Sequence, residues 1–411
     1  MYKYSKSQFK MAFGVVLLTL AGIFFVTMSS GIRNHYGIML NSLIGHTGVP
    51  LTSVSLIFAV GQLVYGLVQP LFGILAAKKG SKYALVSGVF ITAAGLILTP
   101  FSTSMLSLML CLGIILPTGV GVLSYGIIIG AIAPKIPSKM ILTISGIVNA
   151  SIGLGNLIMS PIINSLIMSG GLKYGMHCLS IPVLIMLPLA FFVGKNVKTC
   201  TSRPVEAQTE SPDAMMPLYV RNLFKEALKS KTYQYLMIGF FTCGFHMALV
   251  FNHLPAQFEA HGFSSQSAAY AFSIFGVTTI IGSILSGSLC NKLKIKNVLG
   301  FFYGLRPLTI LFFMIMPKTV VTLTVFTAVL GFSGASTVPA VSGIINKKFG
   351  AASIAMLYGL VFVVHQIGGF SSAWLGGLCF NMTGSYTAIW IASLVLSTTA
   401  STVSFAIGEK K

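Results

Sequence analysis

The chain has 411 residues, of which 55% are hydrophobic and only 8% charged, with a mean hydropathy of +0.89. Soluble domains carry about a quarter charged residues, so this composition excludes an ordinary water-soluble protein and points to one solvated by lipid. The net charge of +20 does not signal nucleic acid, because the basic residues form short clusters between apolar runs without a basic-aromatic stripe.

Lys3, Lys6 and Lys10 precede the first apolar run. That run is too long for a signal peptide and lacks a small-residue cleavage site, so it is expected to remain as the first span. Apolar runs of about 20 residues, enough for a ~30 Å hydrocarbon core, then recur along the chain. The first six lie at 11–40, 52–77, 83–102, 104–131, 139–168 and 173–194. Six more lie at 233–258, 266–290, 297–316, 319–346, 350–378 and 385–407. In lipid each backbone polar group needs an internal partner, so these runs must be helices. The stretch between the sets holds Pro204, Pro212, Pro217 and four of the six acids, Glu206, Glu210, Asp213 and Glu226. It reads as a linker, with an amphipathic surface helix or a helical end near Leu218 to Lys229.

The expected fold is therefore an all-α membrane protein of twelve transmembrane helices in two pseudo-symmetric six-helix bundles. Residues 1–195 would form the N-terminal bundle, 196–232 a cytoplasmic linker and 233–411 the C-terminal bundle. With the N-terminus inside, inner loops and tails carry 22 Lys and Arg residues and outer loops only Lys173 and Lys318. This positive-inside bias predicts that both termini and the linker are cytoplasmic. The six cysteines show no CxxC or metal-ligand spacing and read as small buried hydrophobes. No GxxxxGK[ST] loop occurs, so ATP-driven pumping is not expected. With no acid in the apolar runs to complete a hydrolytic triad, neither is an enzyme. No cofactor or metal is expected.

A basic turn repeats at the same place in each half, GILAAKKGSK from Gly73 to Lys82 and GSLCNKLKIK from Gly287 to Lys296. Internal repeats of this kind mark secondary transporters, whose substrate site lies between the halves near the midplane. With these turns, the segments GIRNHYG (Gly31 to Gly37), GFHMALVFNHLPAQF (Gly244 to Phe258), FYGLRPL (Phe302 to Leu308), TVPAVSGIINKKFG (Thr337 to Gly350) and LVFVVHQIGGFSSAWLGG (Leu360 to Gly377) give the chain a family resemblance. Over nearly its whole length it resembles the major facilitator superfamily, and within it the bacterial relatives of monocarboxylate transporters and oxalate/formate-type antiporters. The resemblance implies alternating access around a central cavity, a small organic anion as substrate, and gating functions for Gly73, Lys78, Gly80, Gly287 and Asn291. The chain departs from the family where an aspartate is usual in the basic turns and Ala77 and Asn291 stand instead. Acids are also missing before the last helix, at Asn381 and Thr387. The eighth span offers only serines between Ile281 and Gly287, so the arginine of the oxalate/formate branch has no counterpart there.

Cations inside apolar runs are costly and mark functional candidates. Arg33 is placed to pair with a carboxylate through its fork of donors; the alternatives are snorkelling to headgroups or capping a broken helix. Arg306, beside Pro307, is expected to bond neighbouring carbonyls or to reach the inner interface, in a structural or gating role. His365 and Gln366 fall near the middle of span 11, where an imidazole can meet an anion and carry a coupling proton, or simply bond another helix. His246 and His253, seven apart, share a face of span 7 with Asn252 and Gln257 nearby. Gln62, Tyr65 and Gln69 stripe span 2, and Tyr125, Asn149 and Asn156 add polar groups to spans 4 and 5. The expected substrate-binding set is Arg33, His365, Gln366, His246, Asn252, His253, Tyr125 and Asn149. The function expected is secondary or facilitative transport of a small organic anion, a monocarboxylate first, by a monomer in the bilayer. The alternatives are movement of a larger metabolite, drug or siderophore, or a transporter-like sensor.

Overall fold

The computed structural model describes residues 6–194, 223–350 and 354–408. Eleven helical stretches among them are long and apolar enough to cross a membrane. One of these, Thr143–Gly194, contains two crossings, because Gly170 and Gly171 leave helical geometry inside it. Gly171 has φ +73°, a left-handed value that a side chain disfavours, so the chain reverses there. The crossings thus number twelve, and their order follows the apolar runs.

The first span is Lys6–Arg33 continued by Tyr36–Thr47, broken at Asn34 and His35. The break lies just beyond the Ser29-Ser30-Gly31 sequence. The second span is Leu51–Lys79 and the third Ser81–Leu98. The fourth runs from Met105 through a π-helical stretch, Met109–Ile115, to Tyr125–Ile132, with a break at Leu123 and Ser124. Spans 5 and 6 share Ser138–Gly194. Spans 7, 8 and 9 are Lys231–Ala260, Ser265–Lys292 and Ile295–Ile315. Span 10 is Val320–Gly334 followed by Thr337–Phe349, so it is broken where span 4 is broken in the other half. Spans 11 and 12 are Ile354–Thr383 and Thr387–Phe405. Most of the sequence segment expected to be a linker lies outside the described residues; its described end, 223–229, is helical.

Each half has its own apolar core. One joins Phe25, Ile32, Val54, Leu96, Leu116 and Val183. The other joins Phe240, Leu254, Phe272, Phe326, Leu357 and Trp390. The outer circumference is as apolar as the cores, with Leu71, Phe90, Ile185, Leu308, Ile315 and Val321 exposed. Such a surface is stable only under hydrocarbon, and the molecule is an integral multi-pass membrane protein.

The halves meet along three seams: span 2 on span 11, span 5 on span 8, and the outer part of span 1 on span 7. These seams fix which side is closed. Ser55 fills the space over Gly377 at the end of span 2 away from the linker, and Gln62 and Gln366 pack at Gly369 and Gly66 farther in. On the next seam Asn164 Nδ2 donates to Gln266 Oε1 (3.2 Å), Ser160 Oγ to the Ala269 carbonyl (2.8 Å) and Ser273 Oγ to the Leu157 carbonyl (2.9 Å). A Cβ on Gly276 would lie 2.5 Å from the Gly153 carbonyl oxygen, so the two backbones touch. Gly73, Gly146, Gly287 and Gly359 occupy the same helix faces two or three turns nearer the linker, and nothing lies within 4 Å of where their Cβ would be. The halves are therefore joined on the side away from the linker and parted on the linker side.

Candidate substrate site

Between the halves lies a cavity of about 160 Å³, smaller than the few hundred Å³ that drug-sized ligands occupy. One end of its wall is polar, with Arg33, Asn34, Gln62 and Asn156. Arg33 is the last residue of the first half-helix of span 1. It reaches across to span 2, where Nη2 donates to Gln62 Oε1 (2.5 Å), and Nη1 donates to Asn34 Oδ1 (3.3 Å). Its guanidinium carbon lies 4.0 Å from the centre of the Tyr65 ring, a cation-π distance. Asn34 Nδ2 in turn donates to Asn156 Oδ1 (3.0 Å). A guanidinium has five N–H donors, and these contacts use two. The Nδ2 of Asn156 is buried without a protein partner, so donors remain for an anionic guest.

The rest of the wall is apolar and largely aromatic: Phe240, Met247, Phe251, Phe275, Tyr358 and Phe362. Tyr358, Phe362 and His365 follow at i, i+4 and i+7 along span 11, and Phe240, Met247 and Phe251 at i, i+7 and i+11 along span 7. Both spacings present one helix face. The spans can approach because a Cβ on Gly244 would strike the His365 carbonyl and one on Gly368 the Phe241 carbonyl. The His365 ring stacks on Phe362 (5.4 Å, 12° between planes) and lies 5.4 Å from Phe240, and its Nδ1 has no protein partner.

Of the eight substrate-binding residues expected from sequence, Arg33 and His365 reach this wall. The others do not line it. His246 Nδ1 pairs with Ser393 Oγ (2.9 Å), and His253 Nε2 with the Ala373 carbonyl (2.8 Å). Their shared face of span 7 turns toward spans 11 and 12, inside the C-terminal bundle. Asn252 is fully buried with neither side-chain polar atom partnered, and Gln366 is buried against Gly66 on the seam. Tyr125 packs against the N-terminal core and Asn149 is half-buried on span 5. Gln257 accepts from Trp390 Nε1 (2.6 Å), and Gln69 Nε2 bonds the Tyr65 carbonyl one turn back (3.2 Å). No charge or amide marks the aromatic wall in the sequence, although its i, i+4, i+7 stripe in span 11 is visible there.

Arg306 is completely buried on span 9. Its Nη2 donates to the carbonyls of Ser333 (3.1 Å) and Gly334 (3.0 Å) and touches Cys243 Sγ at 3.5 Å. Those carbonyls end the first half-helix of span 10, where the last turn lacks backbone partners and the helix dipole is negative. The guanidinium therefore caps the break. Removing it leaves the Ser333 carbonyl without a side-chain donor and the Gly334 carbonyl with only the Cys243 thiol at 3.9 Å, and an unsatisfied buried acceptor costs about 1–3 kcal/mol. Arg306→Met is expected to lower the thermal midpoint of the purified protein clearly. An unchanged midpoint would show that the break holds without its cap.

Among the basic-turn residues, Gly80 has φ +97° where span 2 ends, a conformation that suits glycine. Lys78 and Asn291 are exposed. Gly73 and Gly287 lie on the parted faces described above. Glu259 falls in the last turn of span 7, and its Oε2 accepts from Asn41 Nδ2 (2.5 Å), tying the outer part of span 1 to span 7.

Comparison with known proteins agrees with this architecture. The family model described as Major Facilitator Superfamily matches residues 11–373 and 236–408. An uncharacterised MFS-type transporter of Bacillus subtilis, YcxA, is 25% identical over 94% of this chain and 92% of its own length. Human monocarboxylate transporter 12 is 24% identical over 82% of this chain and 69% of its own. Bovine monocarboxylate transporter 13 is 22% identical, covering 92% and 85%. The crystal structure of a D-xylose-proton symporter superposes with a TM-score of 0.70 at 15% identity, over 96% of this chain and 98% of that one, which is a likeness of fold. Twelve crossings in two halves around a central cavity, together with a family match along the chain, identify it: this protein belongs to the major facilitator superfamily of membrane transporters.

Proposed function

We propose that the protein carries a small organic anion, a monocarboxylate, across the bacterial inner membrane by alternating access, with Arg33 as the group that receives the carboxylate. The observation that carries this reading is electrostatic. Arg33 is the one permanently charged residue among the described residues lining the cavity, and no acid lines it with Arg33. In a low-dielectric site an unpaired cation attracts an anion strongly and repels a cationic substrate. The names of the monocarboxylate transporter relatives favour the same class.

In this reading residues 1–195 and 233–411 rock about the site, joined by the cytoplasmic segment 196–232. The excess of 22 inner over 2 outer loop cations favours cytoplasmic termini, so the parted side would face the cytoplasm. The anion leaves Arg33 toward that side, and return requires the linker-side faces to meet while the outer seams open. His365, with an unpartnered ring nitrogen at the cavity, is the residue proposed to take up a coupling proton. Uptake into proteoliposomes, with a panel of carboxylates and an imposed pH gradient, tests the proposal. Saturable accumulation of a monocarboxylate is expected. Robust transport of a cation with no response to any anion would overturn it.

A further inference from the structure

The polar end of the cavity accounts for a carboxylate and leaves the rest of the wall unexplained. We infer that the substrate is an aryl carboxylate, an acid whose flat apolar body lies against the rings of Tyr65, Tyr358 and Phe362 while its carboxylate sits on Arg33. The inference rests on the reading of Arg33 as the anion ligand and adds the body of the molecule to it.

The chemistry of the wall decides the class. Tyr65, Tyr358 and Phe362 line the cavity and are half-buried, so ring surface remains open to a guest. They are held by rings behind and beside them. Tyr358 meets Phe240 edge-on at 5.5 Å, Phe362 is stacked on His365, and Tyr65 meets Phe362 across the two halves at 6.5 Å. A short hydroxy or keto acid would leave these faces wet. A flat ring covers them and gains the offset or edge-on contacts that aromatic pairs favour. The acid and the ring are also placed next to each other. The Arg33 guanidinium lies on the Tyr65 ring, so a carboxylate taken by Arg33 and the free Nδ2 of Asn156 puts its own substituent beside Tyr65 and Phe362. A dicarboxylate is disfavoured because no second permanent cation lines the described wall, and an aromatic amine because no acid does. Tyr65 belongs to one half and Tyr358 and Phe362 to the other, so a ring lying against all three touches both moving bodies.

The test is competition for binding to the full-length protein reconstituted in liposomes, with phenylacetate, propionate, lactate and the neutral phenylacetamide as probes. Phenylacetate is expected to compete at concentrations about 10-fold or more below those of propionate or lactate, on the scale by which apolar pockets discriminate added hydrocarbon. Phe362→Leu and Tyr358→Leu should each reduce the ratio of phenylacetate to propionate affinity. Lactate or propionate binding as tightly as phenylacetate overturns the aryl class and leaves the anion reading standing. Phenylacetamide binding as tightly as phenylacetate overturns the anion reading itself, as does failure of all three acids. The ratio measured on the unsubstituted protein is decisive even if a variant does not fold.

Discussion

On the proposed reading, Arg33→Gln is expected to weaken carboxylate binding by about 100-fold, with the fold retained. Truncating one member of a buried charge pair costs about 2–5 kcal/mol, and 100-fold corresponds to about 2.7 kcal/mol. Arg33→Lys should recover only part of the loss. An ammonium is a point charge with three donors, and it cannot hold Gln62 and Asn34 while presenting a planar fork to a carboxylate. The measurement is binding and uptake in proteoliposomes, with a thermal melt of each variant as the control for folding. Equal affinity in the glutamine variant and the parent would mean that the guanidinium only braces span 1 against span 2. That outcome would make Arg33 a structural tie between the two spans and not an anion ligand.

The second large effect concerns the conformational cycle. The closed seam between spans 5 and 8 depends on Gly276 lying against Gly153 and Leu157, with 2.5 Å between the position of a Cβ and the nearest backbone atoms. Gly276→Leu is expected to pry that seam apart and disfavour the state open on the linker side. Overpacking costs about 1–3 kcal/mol, enough to move a two-state equilibrium by about 5- to 150-fold. Transport should fall accordingly. The direction of the shift can be read by spin labels on cysteines placed at Gly146 and Gly287, which face the gap, in a background lacking the six native cysteines. In the leucine variant their separation should shorten as the linker side closes. A distribution unchanged from the parent would show that the seam does not govern which side is open. Because the substitution acts on one state and not on the wall of the cavity, it also separates a conformational defect from a binding defect.

These expectations draw on two kinds of information. Arg33 could be singled out in the sequence because a charge within an apolar run is rare and costly, and the run told roughly how deep it lies. His246 and His253 share a helix face by their seven-residue spacing, yet that face turns into the C-terminal bundle, onto Ser393 and Ala373. Spacing along one helix says which residues share a face and not which way the face looks. Gln366 shows the same limit: its neighbour His365 lines the cavity while Gln366 enters the seam with span 2, a separation of about 100° around the helix. Arg306 is expected from sequence to bond carbonyls or reach the inner interface, and it bonds those at a break in span 10; Pro339, in the first turn after that break, marks a helix start but not the partner that caps the turn before it.

The sequence by itself determined the lipid environment, the number and order of the crossings and the family. Each of these follows from local properties, namely the length of an apolar run, the basic cluster that ends it, and the need to satisfy the backbone inside hydrocarbon. The tertiary structure decided which side is closed, which faces of spans 1, 2, 7 and 11 enclose the cavity, and which carbonyls Arg306 serves. Those depend on contacts between residues far apart in the chain, such as Gly276 with Gly153 and Gly244 with His365. In an all-apolar segment no polar face records the direction of the neighbour in advance.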